Sequence, residues 1–129
     1  MSEVVDEEVN VLFIEDDPAV AEMYKLKLEL DGYQVQVATD GEAAIAMATQ
    51  APPDIIFLDI RLPKVDGLAV LEALRADERT RHVPVVILSN YSERELVERG
   101  LKLGALEYLI KSQTTPAKLA GGVENWLKG

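Results

Sequence analysis

The chain has 129 residues, a length that favours a single domain large enough to bury its own core. Its 23 acidic and 13 basic residues give a formal net charge of −10, which disfavours non-specific binding to nucleic acid. Because cysteine is absent and His82 is the single histidine, thiolate metal sites are excluded, and a His-based zinc site or triad is disfavoured. With no apolar run long enough for a membrane span and an acidic N-terminus, we expect a cytoplasmic protein without membrane insertion.

Five short apolar runs alternate with longer amphipathic stretches along the chain. We interpret residues 1–8 as an acidic tail and residues 9–129 as the folded domain. Each run has four to six residues, is rich in valine, isoleucine and leucine, and is too short for a buried helix, so it predicts a strand covered on both faces. The predicted strands are Val9–Ile14, Tyr33–Val37, Ile55–Leu58, Val83–Leu88 and Leu106–Ile110.

The stretches between these runs carry signals for the start and end of helices. Helix starts are indicated by capping residues and by proline at the first helical position, and helix ends by glycine after the last turn. The predicted helices run from Asp17-Pro18 to Asp31-Gly32, from the capping box Thr39-x-x-Glu42 through Gln50, from Asp66 to about Ala76, from the capping box Ser92-x-x-Glu95 to about Leu103, and from Thr115-Pro116 onward. This alternation predicts an α/β fold in which helices cover both faces of a five-stranded parallel sheet.

Polar side chains follow four of the predicted strands at the end where such sheets bind ligands. They are Glu15, Asp16 and Asp17 after the first strand, Asp59 after the third, Ser89 and Asn90 after the fourth, and Lys111 after the fifth. Each alone has an ordinary structural explanation, such as helix capping by Asp17. Their occurrence at one edge of the sheet is what indicates a functional site.

The chemistry of this set suits a divalent cation and a phosphoryl group. Carboxylates brought together repel one another, and Mg²⁺ relieves this repulsion while accepting oxygen ligands. Asp16 and Asp59 fit as direct ligands, and Glu15 fits directly or through water. An aspartate also serves as a nucleophile that forms an aspartyl phosphate, whose oxygens Lys111 and Ser89 would bind.

Four motifs in this order resemble the receiver domain of two-component response regulators. They are Val11-Leu12-Phe13-Ile14-Glu15-Asp16-Asp17, Ile56-Phe57-Leu58-Asp59-Ile60-Arg61-Leu62-Pro63-Lys64-Val65-Asp66-Gly67, Pro84-Val85-Val86-Ile87-Leu88-Ser89, and Gly104-Ala105-Leu106-Glu107-Tyr108-Leu109-Ile110-Lys111. The resemblance covers residues 9–128 and implies a flavodoxin-like, doubly wound sheet of strand order 2-1-3-4-5 with five helices. The length of the chain leads us to expect the stand-alone type without an output domain.

The resemblance also implies roles for these residues. Asp59 accepts a phosphoryl group from a sensor histidine kinase or a His phosphotransfer protein, with Lys111 and Ser89 binding the phosphoryl oxygens. Mg²⁺ or Mn²⁺ is held by Glu15, Asp16, Asp59 and the backbone carbonyl of Arg61. Such a site catalyses its own phosphorylation and its own hydrolysis, although it is not a conventional enzyme.

A conformational switch is the expected output of phosphorylation. Ser89 moves towards the phosphoryl group, and Tyr108 rotates into the space beneath. The face formed by the fourth helix, the fifth strand and the fifth helix then changes, and we expect it to bind a downstream protein and to permit a phosphorylation-dependent dimer.

The sequence departs from the family pattern at two positions. Ser112 stands where proline usually follows the lysine, and Asn90 stands where a smaller residue is usual. We also hypothesise that Arg61 and Tyr91 slow or retune hydrolysis of the aspartyl phosphate.

Three alternative functions remain open. The main alternative to a phosphoacceptor is a receiver-fold module that works without phosphorylation. An Asp-nucleophile hydrolase would need an acid where Arg61 stands, and a flavin or nucleotide binder would need a phosphate loop after the first strand.

Overall fold

The computed structural model describes residues 8–128, so all but one residue of the predicted acidic tail lies outside the described part. Five strands alternate with five α-helices, and one turn of 3₁₀ helix, Lys111–Gln113, precedes the last of them. The strands are β1 (Asn10–Ile14), β2 (Gln34–Ala38), β3 (Ile55–Leu58), β4 (Val85–Ser89) and β5 (Glu107–Ile110). The helices are α1 (Pro18–Leu30), α2 (Gly41–Gln50), α3 (Gly67–Ala76), α4 (Arg94–Lys102) and α5 (Pro116–Leu127).

All strand pairs are parallel, and the order across the sheet is β2-β1-β3-β4-β5, which confirms the predicted doubly wound fold. Successive residues of the central strands point to opposite faces, so each strand contributes to two separate cores. Leu12, Ile56 and Leu58 pack with α2 and α3, whereas Phe13 and Phe57 pack with α1 and α5. This two-sided burial explains why the central strands are almost continuously apolar.

The prediction that every strand is covered on both faces is wrong for the two edge strands. Residues of β2 alternate between exposed and half-buried until Ala38, and β5 has one exposed and three half-buried residues. An edge strand has a sheet neighbour on one side only, and the helices wrap the centre of the sheet more completely than its margins.

Three helix starts agree with the sequence, and two do not. Asp17, Asp66 and Thr115 each accept hydrogen bonds from the first turn of their helix, as predicted. The second helix is capped by Asp40 and not by Thr39, since Asp40 Oδ1 accepts a 2.7 Å hydrogen bond from the Ala43 N–H. Glu93 precedes the fourth helix without a side-chain cap, so the predicted capping box at Ser92 does not form.

Helix α4 is the least buried helix of the fold. Gly100 is its single buried residue, and it lies against the side chains of Ile87 and Tyr108. A Cβ atom at this position would approach Ile87 Cδ1 to 2.6 Å, so glycine lets the helix lie close to the sheet. Among residues 8–128 no helix is long and apolar enough to cross a membrane.

Candidate functional site

The polar residues predicted from the sequence meet at the carboxyl edge of the sheet. Ile14 pairs with Leu58 in the β1–β3 register, so Glu15 and Asp59 leave adjacent strands at the same level. Ser89 pairs with Ile110 in the β4–β5 register, which places Lys111 just beyond the last strand. Backbone hydrogen bonds continue past the strand ends, because the Glu15 N–H donates to Ala38 and the Asp59 N–H donates to Ile14. The site is therefore anchored by backbone hydrogen bonds to the central strands of the sheet.

Lys111 bridges the two buried carboxylates of the site. Its Nζ donates hydrogen bonds to Glu15 Oε1 at 2.6 Å and to Asp59 Oδ2 at 2.9 Å. The side chains of Glu15 and Asp59 are 2% and 8% exposed, and that of Lys111 is 15% exposed. At this depth charges need partners, and one ammonium neutralises part of the charge of two carboxylates.

Burial and pairing shift the pKa values of Glu15 and Lys111. Burial raises the pKa of Glu15 above its usual value, and the hydrogen bonds from Lys111 and the Asp17 N–H only partly oppose that rise. Burial disfavours the charged form of Lys111, but the hydrogen bonds to Glu15 and Asp59 outweigh it and raise the pKa of Lys111. The pocket thus favours the positive charge of Lys111, whereas the negative charge of Glu15 is only partly compensated.

Three carboxylates form a cluster that suits a hard cation. Oxygens of Glu15, Asp16 and Asp59 all lie within 4.8 Å of one another, with Asp16 on the exposed side. The second oxygen of Glu15 accepts the Asp17 N–H at 3.1 Å, and Asp59 Oδ1 accepts the Ile60 N–H at 2.7 Å, which fixes both carboxylates. Oxygen donors of this kind fit Mg²⁺, and Arg61 lines the same cleft.

The loop after Asp59 depends on Gly67, the first residue of α3 and the last residue of the second sequence motif. The Gly67 N–H donates to the Ile60 carbonyl at 2.7 Å, and this bond folds the loop back over Asp59. A Cβ atom at position 67 would lie 2.1 Å from the Asp59 carbonyl oxygen. Only glycine therefore permits this close approach of the chain to the site.

Ser89 and Tyr108 lie on the side of the site nearest α4. Ser89 is fully buried, and its Oγ accepts the Tyr91 N–H at 3.1 Å. The half-buried Tyr108 ring packs against Gly100, and its hydroxyl donates to the Tyr91 carbonyl. Burial raises the pKa of Tyr108, and the proximity of the Ser89 hydroxyl partly opposes that rise. The side chains of Ser89 and Tyr108 are therefore linked through one short loop segment.

Comparison with known proteins identifies this arrangement. Residues 11–121 match the family model of the response regulator receiver domain. The chain belongs to the response-regulator receiver family. In this receiver domain Glu15, Asp16 and Asp59 form the acidic cluster described above.

Relatives of the receiver domain include longer regulatory proteins. It is 45% identical over 101 residues to the DNA-binding dual master transcriptional regulator RpaA of Synechocystis, covering 78% of this chain and 42% of RpaA. It is 39% identical over 101 residues to the response regulator PleD of Caulobacter vibrioides, covering 78% of this chain and 22% of PleD. The chain therefore spans less than half the length of these curated relatives.

Solved structures share the whole fold. A putative response regulator from Chloroflexus aurantiacus is 31% identical, with a TM-score of 0.87, over 95% of this chain and 100% of its own. The receiver domain of the sensor histidine kinase PA1611 from Pseudomonas aeruginosa is 30% identical, with a TM-score of 0.86, over 95% of this chain and 99% of its own. That structure has a magnesium ion coordinated in its active site cleft.

Three side chains distinguish the mouth of this receiver's cleft. The Arg61 guanidinium carbon lies 4.4 Å from the centroid of the Tyr91 ring, and this cation–π contact closes one side of the opening. Asn90 also lines the cleft, and its Oδ1 accepts the Ser112 N–H at 3.0 Å. The two departures from the family pattern, Asn90 and Ser112, are thus partners of each other.

One contact near the site, made by Tyr24, could not be predicted from the sequence. Tyr24 occupies an ordinary core position of α1, but its buried hydroxyl donates a 2.5 Å hydrogen bond to the Thr114 carbonyl. Helical periodicity predicts that position 24 faces the core, yet it says nothing about which distant carbonyl the hydroxyl reaches.

Proposed function

We propose that this receiver domain is a phosphoacceptor, and that Asp59 takes a phosphoryl group from a phosphohistidine of a sensor histidine kinase or a His phosphotransfer protein. The single observation that carries the proposal is the contact of Lys111 Nζ with both Glu15 and Asp59, beside Asp16. Phosphoryl transfer to an aspartate requires an accessible carboxylate, a nearby positive charge and oxygen ligands for a metal ion. Asp59, Lys111 and the neighbouring carboxylates provide these three features.

The proposed transfer conserves atoms and charge in one displacement. A carboxylate oxygen of Asp59 attacks phosphorus, and an O–P bond forms as the P–N bond to the donor imidazole breaks. The electron pair of that bond stays on the imidazole nitrogen. Lys111 and the Ser89 hydroxyl bind the phosphoryl oxygens, where charge develops. Hydrolysis uses the same groups: water attacks phosphorus, the bond to Asp59 breaks, and inorganic phosphate leaves.

We propose Mg²⁺, or Mn²⁺ in its place, as the cofactor of both reactions. Glu15, Asp16, Asp59 and the backbone carbonyl of Arg61 are the proposed ligands from the protein. When bound, the ion supplies charge neutralisation between the carboxylates and the incoming phosphoryl oxygens. The three-carboxylate cluster and the magnesium ion in the related PA1611 receiver support this assignment.

The proposed output is a change on the face formed by α4, β5 and α5. Ser89 would turn its hydroxyl from the Tyr91 N–H towards the phosphoryl group, and this would alter the loop to which Tyr108 is bonded. Because α4 has only Gly100 buried, a small shift of this loop is enough to reposition the helix. This face is the proposed site for a downstream protein and for a phosphorylation-dependent dimer.

The acidic character of this domain supports protein partners over nucleic acid. A net charge of −10 repels phosphate backbones, so we propose that these residues do not themselves contact nucleic acid. The alternative of a receiver-fold module that works without phosphorylation is opposed by the complete set of Glu15, Asp16, Asp59 and Lys111.

The deciding experiment is phosphorylation with acetyl phosphate and MgCl₂, followed by intact mass spectrometry. We expect a gain of one phosphoryl group on the wild type, its loss when EDTA replaces MgCl₂, and no gain for Asp59→Asn. Binding of beryllium fluoride with Mg²⁺, observed by nuclear magnetic resonance, gives an independent measurement. A wild type that gains no phosphoryl group and binds no beryllium fluoride would establish the phosphorylation-independent alternative. Phosphotransfer profiling against histidine kinases then identifies the donor.

A further inference from the structure

The turn that follows β5 sets the position of Lys111. The Thr114 N–H donates to the Lys111 carbonyl at 3.2 Å, and Thr114 Oγ1 donates to the Ile110 carbonyl at 2.8 Å. Both bonds lie within residues 110–114, so they do not attach the turn to the rest of the fold. Two contacts from other elements provide that attachment.

The first of these contacts comes from the end of β4. Ser112 has an N–H group, which a proline at this position would lack, and this N–H donates to Asn90 Oδ1 at 3.0 Å. Asn90 follows Ser89 directly, so the bond joins the loop after β4 to the turn after β5. It holds the first half of the turn from the side that faces the cleft.

The second contact comes from beneath. The Tyr24 ring is 2% exposed and stacks on Phe13 with ring centroids 5.3 Å apart, so it is fixed within the core. Its hydroxyl reaches out of that core to the Thr114 carbonyl at 2.5 Å. The Thr114 carbonyl lies at the other end of the turn from Ser112, so the two contacts restrain both ends.

We propose that Tyr24 and Asn90 are positioning residues for Lys111, which hold the main chain of the Lys111–Gln113 turn while Nζ acts on the phosphoryl group. This inference rests on the proposed phosphoacceptor function. A lysine has a long flexible stem, so the position of its ammonium depends on how firmly its backbone is held.

The geometry explains why such restraint matters at this position. Nζ is already engaged by Glu15 and Asp59, and it must redirect a hydrogen bond to the phosphoryl oxygens as transfer occurs. If the backbone is fixed, only the side chain moves. If the turn is loose, the ammonium is misplaced, and misplacement of a charged group slows transfer more than it weakens donor binding.

Tyr24→Phe is the sharpest test, because it removes one hydroxyl and keeps the ring. Tyr24 is buried, so it has no direct contact with a phosphoryl group in the cleft. With acetyl phosphate and saturating MgCl₂, we expect the maximal phosphorylation rate constant to fall about fivefold, the usual net value of one neutral hydrogen bond. The acetyl phosphate concentration for half-maximal rate should stay unchanged. Tyr33→Phe is the matched control, and it should keep the wild-type rate.

Asn90→Ala tests the first contact, the bond from the Ser112 N–H, and should also lower the maximal rate constant. Ser112→Ala is its control, since alanine keeps the backbone N–H that Asn90 accepts, and we expect no effect. Phosphorylation of both Tyr24→Phe and Asn90→Ala at the wild-type rate would overturn the inference.

A spectroscopic measurement separates this inference from the proposed function. The ¹H–¹⁵N signal of the Lys111 ammonium, observed without any phosphodonor, should shift or broaden in Tyr24→Phe and Asn90→Ala but not in Ser112→Ala. An unchanged signal in both variants would contradict the positioning role, even if the wild type is phosphorylated. If the wild type is not phosphorylated, the proposed function fails, and the ammonium signal still reports on the turn.

Discussion

Arg61 and Tyr91 face each other across the mouth of the cleft, with the guanidinium carbon 4.4 Å from the ring centroid. Arg61 belongs to the loop after β3 and Tyr91 to the loop after β4, so the pair joins the two loops that flank Asp59. We expect the water molecule that would hydrolyse the proposed aspartyl phosphate to enter past this pair. Tyr91 remains 37% exposed, so the pair lies at the surface of the cleft.

The first prediction concerns the lifetime of the phosphorylated protein. Removing either member of the pair should widen the opening, so we expect Arg61→Ala and Tyr91→Ala each to shorten the lifetime about three- to tenfold, which corresponds to roughly 0.7–1.4 kcal/mol in the barrier to hydrolysis. The measurement follows loss of phosphoryl groups after the donor is removed. Arg94→Ala is the control, because Arg94 is 91% exposed on α4 and pairs only with Glu98 among the described residues. An unchanged lifetime in both cleft variants would refute the idea.

The second prediction concerns the free energy of unfolding in the absence of metal. Lys111→Met leaves the buried Glu15 and Asp59 without their shared cation, and we expect a loss of about 2–4 kcal/mol at neutral pH. Magnesium should restore part of the loss in the variant, because it supplies positive charge to the same carboxylates. Urea unfolding with EDTA and with MgCl₂ measures both effects. Lys118→Met on exposed α5 surface should change little, and equal losses in the two variants would contradict the prediction.

The third prediction uses a matched pair of glycines. Gly67→Ala would place a Cβ atom 2.1 Å from the Asp59 carbonyl oxygen, so we expect a loss of about 2 kcal/mol or more and weaker phosphorylation. Gly121→Ala meets nothing within 4 Å and lies inside α5, so it should stabilise the protein by about 0.5–1 kcal/mol. Thermal unfolding and the acetyl phosphate assay report both. Equal stability changes would mean that the loop adapts easily around position 67.

The fourth prediction concerns alkaline pH. Burial raises the pKa of Tyr24 above 10.0, and the hydrogen bonds of Lys111 raise its pKa above 10.5. The folded state then holds these protons more tightly than the unfolded state does, so the stabilisation is complete below pH 10 and is lost as pH rises through the folded-state pKa values. Urea unfolding between pH 9 and pH 11 should show falling stability. Tyr24→Phe should show a shallower fall, and parallel curves would disprove the contribution of Tyr24.

Much of the fold could be predicted because its signals are local. The central strands β1, β3 and β4 are buried on both faces, so each appears as an uninterrupted apolar run. The partial exposure of β2 and β5 was not predicted, since it depends on which strands lie at the edges of the sheet. The capping error at α2 has a similar cause: Thr39 and Asp40 both suit a cap, and only the path of the chain selects Asp40.

The candidate site was predictable for a different reason. Glu15, Asp59 and Lys111 each follow a strand directly, and parallel strands bring their carboxyl ends to one edge. The contacts that restrain Lys111 were not predictable. Tyr24 and Thr114 are 90 residues apart, and Asn90 and Ser112 are 22 apart, and no periodicity encodes which side chain meets which backbone group.

The low burial of α4 has an evolutionary consequence. A helix that commits only Gly100 fully to the interior, with Leu96 and Val97 half-buried, leaves its six exposed positions open to substitution with little effect on folding. If α4 is the partner-binding face proposed above, mutations at these positions would alter partner choice and leave the proposed site around Asp59 unchanged. New signalling connections could therefore arise from a handful of surface changes, without any redesign of the catalytic pocket.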